Sequence, residues 1–371
     1  MAAADSRPRS VLLAGGGSAG HVSPLLALAD TLRARDPAIA VAALGTATGL
    51  EARLVPARGY RLHTIPKVPL PRRPSGDVVR LPRNLAAAVR AADVAIVETG
   101  AEVVVGFGGY VSTPAYLAAR RRRIPIAIHE QNARPGLANR LGARITPFVG
   151  VTFASTRLPH ARVVGMPLRP EIGHFDRAAL RPEALAAYGL DAQRPTLLVT
   201  GGSLGAARLN AAMAAAAPDL LSAGVQVLHI TGAGKEFPAP ESVAGARYVV
   251  VPYADRMELA YAVADLALVR AGANTVCELT AIGLPGIYVP LPIGNGEQRL
   301  NATDVIAAGG GLLVDDAALT PDRIRTEILP LLTDPQRLTV MAAAAASVGE
   351  RGGDALLADL VMAAYRSRTP G

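Results

Sequence analysis

Three glycine-rich stretches carry most of the chemistry this sequence can do. They read Gly15-Gly16-Gly17-Ser18-Ala19-Gly20-His21, Gly106-Phe107-Gly108-Gly109-Tyr110 and Gly201-Gly202-Ser203-Leu204-Gly205-Ala206. Each falls where a short apolar run passes into a helix-length amphipathic one. At such a turn backbone N–H groups can approach a phosphate, and the helix N-terminus adds partial positive charge. A single loop of this kind is as often a tight turn that binds nothing; three, spread over both halves of the chain, point to a phosphate-bearing ligand. His21 follows the first loop directly, with Ser23 read as the N-cap and Pro24 as the first helical residue. A helix start disfavours an imidazolium, which predicts a neutral histidine able to accept a proton.

The second half adds acid and amide groups. Arg270-Ala271-Gly272-Ala273-Asn274-Thr275-Val276-Cys277-Glu278 leaves a strand end and enters a helix. Glu278 is expected one turn in, where a carboxylate can chelate the two hydroxyls of a ribose; an acid there could equally complement the helix dipole, worth ~0.3–1 kcal/mol. Residues 290–298 form another polar, Gly-rich strand-to-helix loop whose amides and carboxyl suit sugar hydroxyls.

Residues 15–20 spell G-x-G-x-x-G, but a dinucleotide site also needs an acid at the end of the second strand. That strand ends Ala43-Leu44-Gly45-Thr46 and the next acid, Glu51, falls in the following helix, so NAD and FAD are disfavoured. The stretch 231–236 lacks the leading Gly spacing and the Ser or Thr after Lys235 that a P-loop requires, which disfavours ATP hydrolysis. No Asp-x-Asp and no His/Asp/Glu cluster at metal spacing occurs. No metal or other cofactor is expected, and a pyrophosphate leaving group must be stabilised by N–H groups and cations.

These groups need elements that repeat. Apolar runs at 10–14, 39–44, 61–65, 102–105 and 125–129 read as strands, separated by helical patterns at 23–35, about 84–98 and 112–123. The pattern restarts near residue 195, with strands at 196–200, 225–231, 247–250, 266–269 and 286–289 and helices at 206–217, 274–282 and 298–308. Such βαβ alternation predicts parallel sheets covered on both faces. The expected α/β fold is two Rossmann-like domains facing across a cleft. The strand and Pro-punctuated turn at 163–170 place the boundary: an N-terminal domain over 1–166, a C-terminal domain over 167–350, and a last helix within 351–371 packing back on the first domain.

The totals narrow the function further. No run in the 371 residues reaches the ~18 uncharged apolar residues of a membrane-spanning helix, although half of them are hydrophobic. The N-terminus has no apolar signal core, so a cytoplasmic location is expected. Cys277, the one cysteine, excludes an internal disulfide and reads as a small buried hydrophobe. Residues 1–168 hold 22 Lys and Arg against 9 Asp and Glu, whereas residues 169–371 hold 16 against 21. The basic first half expects an anionic partner: nucleic acid, an acidic membrane surface or a pyrophosphate. Aromatics make up 4% with no Trp, which leaves no stacking platform and disfavours nucleic acid.

Taken together, these motifs resemble the MurG family. They are the loop at 15–21, Gly106-Phe107-Gly108-Gly109-Tyr110-Val111-Ser112, His129-Glu130-Gln131-Asn132, Gly165-Met166-Pro167-Leu168-Arg169, the loop at 201–206, residues 270–278, and Gln298-Arg299-Leu300-Asn301-Ala302. The resemblance runs from about residue 10 to residue 350 and implies a GT-B fold. It also implies a metal-independent, inverting transfer of N-acetylglucosamine from UDP to the 4-hydroxyl of undecaprenyl-pyrophosphoryl-N-acetylmuramyl-pentapeptide, in peptidoglycan synthesis. The alternative is another GT-B enzyme, such as a UDP-sugar 2-epimerase or a transferase with a different acceptor.

Carried over by position, the resemblance implies that Ser203 and its loop hold the UDP phosphates, Glu278 the ribose and the backbone at Ala254 the uracil. Asn132 and Gln298 would take sugar hydroxyls, and Arg169 would lie near the donor. Arg270, Ala273, Asn274 and Thr275 would complete the donor side. Ser18, Ala19 and Gly20 would line the first loop, with His21 as the general base and Glu130 a second choice. Gly108, Tyr110, His129 and Glu130 would serve the acceptor. Arg72 and Arg73, in the loop at 65–73, would meet an anionic membrane, with Arg80, Arg83 and the run 120–123 adding to them. This implies a peripheral protein at the cytoplasmic face of the cell membrane. The chain departs from the family at Gly17-Ser18-Ala19, where Gly-Gly-Thr-Gly-Gly-His is common, at Glu297 in a frequent Gln-Gln pair, and at Ala254, where Ile is frequent.

Overall fold

Strands such as Ser10–Ala14 carry no polar face, and in the structure they have none to show to water: all five of these residues are buried. The structure, a computed structural model, describes residues 7–68, 77–173, 175–202, 205–293 and 295–368. Ser203, Arg72 and Arg73 lie outside the described residues. The chain divides into two units, residues 1–169 with 351–371, and residues 170–350.

The first unit is built on β1 (Ser10–Ala14), β2 (Ala40–Gly45), β3 (Arg61–Thr64), β4 (Val103–Gly106), β5 (Ile126–Glu130), β6 (Phe148–Val151) and β7 (Ala161–Val163). All pair in parallel, in the order β3-β2-β1-β4-β5-β6-β7. One face packs Leu12, Leu44, Val104 and Ile128 with the helices Asp77–Thr99 and Gly109–Arg121. The other packs Val11, Leu13, Val103 and Val105 with the helix Ala19–Arg35 and the C-terminal helix Gly353–Arg366. That last helix buries Leu357, Leu360 and Val361, each worth ~1.5–3 kcal/mol. Its Asp354 carboxylate accepts from the Thr31 hydroxyl at 2.6 Å, and Gly353 sits so close to the Met166 backbone that a Cβ would lie 2.4 Å from the carbonyl oxygen.

The second unit holds β8 (Thr196–Thr200), β9 (Gln226–Ile230), β10 (Tyr248–Val251), β11 (Leu266–Val269), β12 (Gly286–Tyr288) and β13 (Gly311–Leu313), again all parallel, in the order β10-β9-β8-β11-β12-β13. The strand order of each sheet reverses once, between β1 and β4 and between β8 and β11. In open α/β sheets ligands bind beyond the carboxyl ends of the strands at such a reversal.

The local sequence misreads some details. The strand expected at 163–170 ends at Val163, and β6 and β13 are not among the runs read as strands. The expected helix at 298–308 is two, Glu297–Asn301 and Thr303–Ala307. After β9 the chain turns at 232–236 without entering a helix. No helix among the described residues is long and apolar enough to cross a membrane.

Candidate active site and donor loops

In the first unit, the turns leaving β1 and β4 meet at the point of reversal. The helix after β1 starts at Ala19, five residues earlier than Ser23 and Pro24 suggest, so His21 stands inside its first turn and Pro24 within the helix. Ser18 is the N-cap residue, but its side chain caps nothing; its Oγ lies 2.8 Å from Nδ1 of His21. With the ring proton on Nδ1, Ser18 accepts it and Nε2 keeps its lone pair, the tautomer a base requires. Nε2 faces the second loop, where a Cβ on Gly108 would lie 3.2 Å from it. Gly108 (φ 91°, ψ −166°) adopts a conformation essentially confined to glycine. Gly109 is pressed against the Gly16 carbonyl, 2.9 Å from where its own Cβ would be.

Ser112 locks this junction. Its Oγ accepts from the Gly108 N–H at 2.9 Å and lies 3.0 Å from the Ala14 carbonyl. Tyr110 lies beside Gly17, and the Lys67 ammonium stands 5.7 Å from the centre of its ring. Burial pushes the His21 pKa down to about 4 while the Glu51 carboxylate pulls it back up. The imidazole is neutral at physiological pH, and desolvation is the larger reason.

The tetrapeptide at 129–132 divides by burial. His129 is 0% exposed, with Nε2 3.0 Å from the Gly165 carbonyl and 3.3 Å from Thr152 Oγ1, and burial lowers its pKa to about 4. A side chain so sealed ties β5 to the Gly165 turn and cannot touch an acceptor. Glu130 is 2% exposed: Oε1 accepts from the Asn132 N–H at 2.9 Å, and Oε2 from the Gly136 N–H and Asn139 Nδ2, both at 3.0 Å. Burial raises its pKa against those hydrogen bonds. Its oxygens are spent on shaping the loop that presents half-buried Asn132, so it is an organiser of that loop and not a second base. Arg169, half-buried, is the last residue of its stretch of the first unit.

In the second unit, Gly201 and Gly202 follow β8, and the helix Ala207–Ser222 starts without a side-chain cap. So does Ala273–Ala281 after β11, with Gly272 at its N-cap. The helix Arg177–Tyr188 differs: the Asp176 carboxylate accepts from the amides of Ala178 and Ala179. Helix starts whose N-cap residue makes no side-chain cap bond can turn their first amides to an anion. Ala273, Asn274 and Thr275 form one such start.

Glu278 is half-buried further along that helix, and the hydroxyl of buried Tyr261 donates to its Oε2 at 2.6 Å. Arg270 turns inward. Its Nη1 lies 2.7 Å from Asp316 Oδ1 and donates to the carbonyl of Val289 at 3.2 Å, so it braces the ends of β11 and β12. Gln298 Oε1 accepts from the Leu291 N–H at 2.9 Å, closing the loop at 291–298, and Ala254 lies half-buried in the turn after β10. Sequence reasoning missed Glu51, Tyr261 and Asp316, which no local pattern distinguishes from surface or core residues.

Two parallel α/β units, amide-rich loops at both reversals and a neutral histidine with a lone pair define a two-domain glycosyltransferase. Residues 11–150 match the Glycosyltransferase family 28 N-terminal domain and residues 196–356 the Glycosyltransferase family 28 C-terminal domain. A UDP-N-acetylglucosamine--N-acetylmuramyl-(pentapeptide) pyrophosphoryl-undecaprenol N-acetylglucosamine transferase of Leifsonia xyli subsp. xyli is 59% identical over 356 residues, 96% of this chain and 98% of the relative. A transferase of the same name from Streptomyces avermitilis is 55% identical over 359 residues, 96% of this chain and 99% of that protein. The crystal structure of Acinetobacter baumannii MurG superposes with a TM-score of 0.77 at 29% identity, covering 95% of this chain and 99% of that one. The chain belongs to the MurG family of glycosyltransferases.

Proposed function

We propose that this enzyme transfers N-acetylglucosamine from UDP-N-acetylglucosamine to the undecaprenyl-pyrophosphoryl-N-acetylmuramyl-pentapeptide lipid, a step of peptidoglycan synthesis that serves cell shape and division. The observation that carries the reading is similarity at 59% identity along nearly the full length of a transferase with that name. The chemistry is a single displacement. The acceptor's 4-hydroxyl attacks the anomeric carbon, its proton passes to Nε2 of His21, and the bond from the anomeric carbon to the UDP oxygen breaks with inversion. General base assistance of this kind contributes ~10²–10⁴-fold.

UDP leaves with its new charge on the β-phosphate. The loop at 201–206, including Ser203, and the helix start at 273–275 supply the amides that stabilise it. Glu278, held by Tyr261, takes the ribose; the backbone at Ala254 takes the uracil; Asn132, Arg169 and Gln298 read the sugar. Among the described residues no group of three or more His, Cys, Asp or Glu side chains is placed to hold a metal ion.

The decisive measurement is turnover with a short-chain analogue of the acceptor lipid in EDTA. UDP release that requires acceptor and yields a disaccharide is the expected result; donor binding without disaccharide would overturn the acceptor assignment. The surplus of cations in residues 1–168 supports a peripheral site at the anionic cytoplasmic face of the membrane, each basic residue near the surface adding ~1 kcal/mol. Salt-sensitive pelleting with acidic vesicles is expected, and no pelleting at low salt would remove the idea.

A further inference from the structure

Glu51 is a carboxylate with 0% exposure in a protein whose other acids lie mostly at the surface. A buried charge is costly unless its oxygens are satisfied, and here they are. Oε2 accepts from the Gly17 N–H at 2.9 Å, and Oε1 accepts from the Thr46 N–H at 2.9 Å and the Thr46 hydroxyl at 2.7 Å. Burial works against ionisation, but these bonds outweigh it and hold the carboxyl below its ordinary pKa, so Glu51 is charged at neutral pH.

Three glycines make room for the group. A Cβ would come within 2.4 Å of its Oε1 at Gly16, within 2.4 Å of its Cγ at Gly45, and within 2.1 Å of its Oε2 at Gly49. An ion so enclosed, reached by two separate turns, costs more than packing alone would justify and calls for a use.

We propose that Glu51 is a positioning residue for proton transfer: its caged carboxylate grips the Gly17 amide and so fixes Ser18 and, through Ser18, the ring of His21. Gly17 (φ 87°) directly precedes Ser18, whose Oγ holds Nδ1 of His21 at 2.8 Å. Holding Nδ1–H there keeps the lone pair on Nε2. Glu51 is also the charge that favours the imidazolium as it forms, opposing the burial that disfavours it. A second consequence concerns the loop itself. One of its amides already serves an internal anion, so the Gly17 N–H is withheld from any ligand phosphate. The inference rests on His21 being the base.

The test uses the full chain with UDP-N-acetylglucosamine and the acceptor analogue. Glu51→Gln keeps the shape and removes the charge; kcat should fall at least tenfold with donor KM within twofold. Nitrogen NMR of His21 should change from one tautomer to a mixture. Should Glu51→Gln fail to fold, Thr46→Val, which removes one donor to Oε1 and leaves the ion in place, decides: a kcat at least threefold lower at constant KM is expected. A folded Glu51→Gln enzyme with wild-type kcat and tautomer overturns the proposal, as does a loss of melting temperature with kcat unchanged, or wild-type kcat in Thr46→Val when Glu51→Gln does not fold. His21→Ala separates the two readings. If it retains turnover, the base assignment fails and this proposal with it; if it is inactive while Glu51→Gln is normal, only the role of Glu51 fails.

Discussion

The glycine loops of the two units look alike as sequence and are used in opposite ways. Around His21 most of the glycines are crowded by the protein itself: a Cβ on Gly16 would strike Glu51, on Gly106 the Tyr116 hydroxyl at 2.0 Å, and on Gly109 the Gly16 carbonyl. In the second unit a Cβ on Gly202, Gly272 or Gly296 would meet nothing within 4 Å. Only the base of its first loop is tight, where Gly205 abuts the Thr231 carbonyl and Gly201 the Ala206 amide. The first set is small so that backbone and side chains can lock around His21. The second leaves open space beside uncapped amides, where a ligand can approach. A glycine-rich turn therefore reports close approach, but not of what.

Substitutions can break this contrast. The largest effect on activity is expected for His21→Ala: turnover lower by ~10²–10⁴-fold with little change in donor affinity, measured by steady-state kinetics. Unchanged turnover would remove the first unit's loops from the chemistry.

The largest effect on stability is expected from acid, and it should strike both units. His129 and His229, buried in β5 and β9, both have pKa values lowered to about 4 by burial. The unfolded chain takes these protons near pH 6.5 and the folded one only near 4. Stability is therefore complete above pH 6.5 and declines as the pH falls through that window, by on the order of 3 kcal/mol per histidine. Denaturant titrations at pH 7 and pH 4.5 would show it; replacing either histidine with Gln should flatten the slope.

Glycine substitutions come next. Gly106→Ala should cost at least ~1–3 kcal/mol because buried Tyr116 cannot yield, lowering the melting temperature. Gly272→Ala should cost under ~1 kcal/mol, as an alanine N-cap does, and should appear mainly in donor KM. Equal losses at both positions would erase the distinction between packed and open loops. The smallest effect is Tyr261→Phe, which removes one hydrogen bond to Glu278 worth ~1 kcal/mol. Donor KM should rise a few-fold with kcat unchanged, and a donor lacking the ribose 2′-hydroxyl should be less affected.

Much of this was readable in advance. The strands of both sheets are short apolar runs, and the loops that follow β1, β4, β8, β11 and β12 stand out by glycine and polar content. What misled was also local. Ser23-Pro24 has the form of a cap followed by a first helical residue, yet the helix begins at Ala19 and carries Pro24 inside at the cost of one backbone bond. His129 and Glu130 look like chemistry and serve the framework, because their strand lies in the middle of a sheet covered on both sides. Arg270 has the composition of an anion ligand, and its partner Asp316 is too far along the chain to suggest otherwise.

Composition and spacing alone determined that the chain forms two βαβ units, that amide-rich turns follow their strands, and that a histidine stands at the first of these turns. Those properties depend on near neighbours: apolar runs bury, glycine turns, and a helix start leaves its amides free. The surroundings of that histidine were decided by tertiary structure. Ser18, Glu51 and Gly108 arise in three different turns, after β1, β2 and β4. They become neighbours only when the sheet assembles in the order β3-β2-β1-β4 and its reversal brings those turns to one end. The neutrality of the ring follows from that burial and the charge beside it from the hydrogen bonds that hold Glu51, neither of which any stretch of sequence contains.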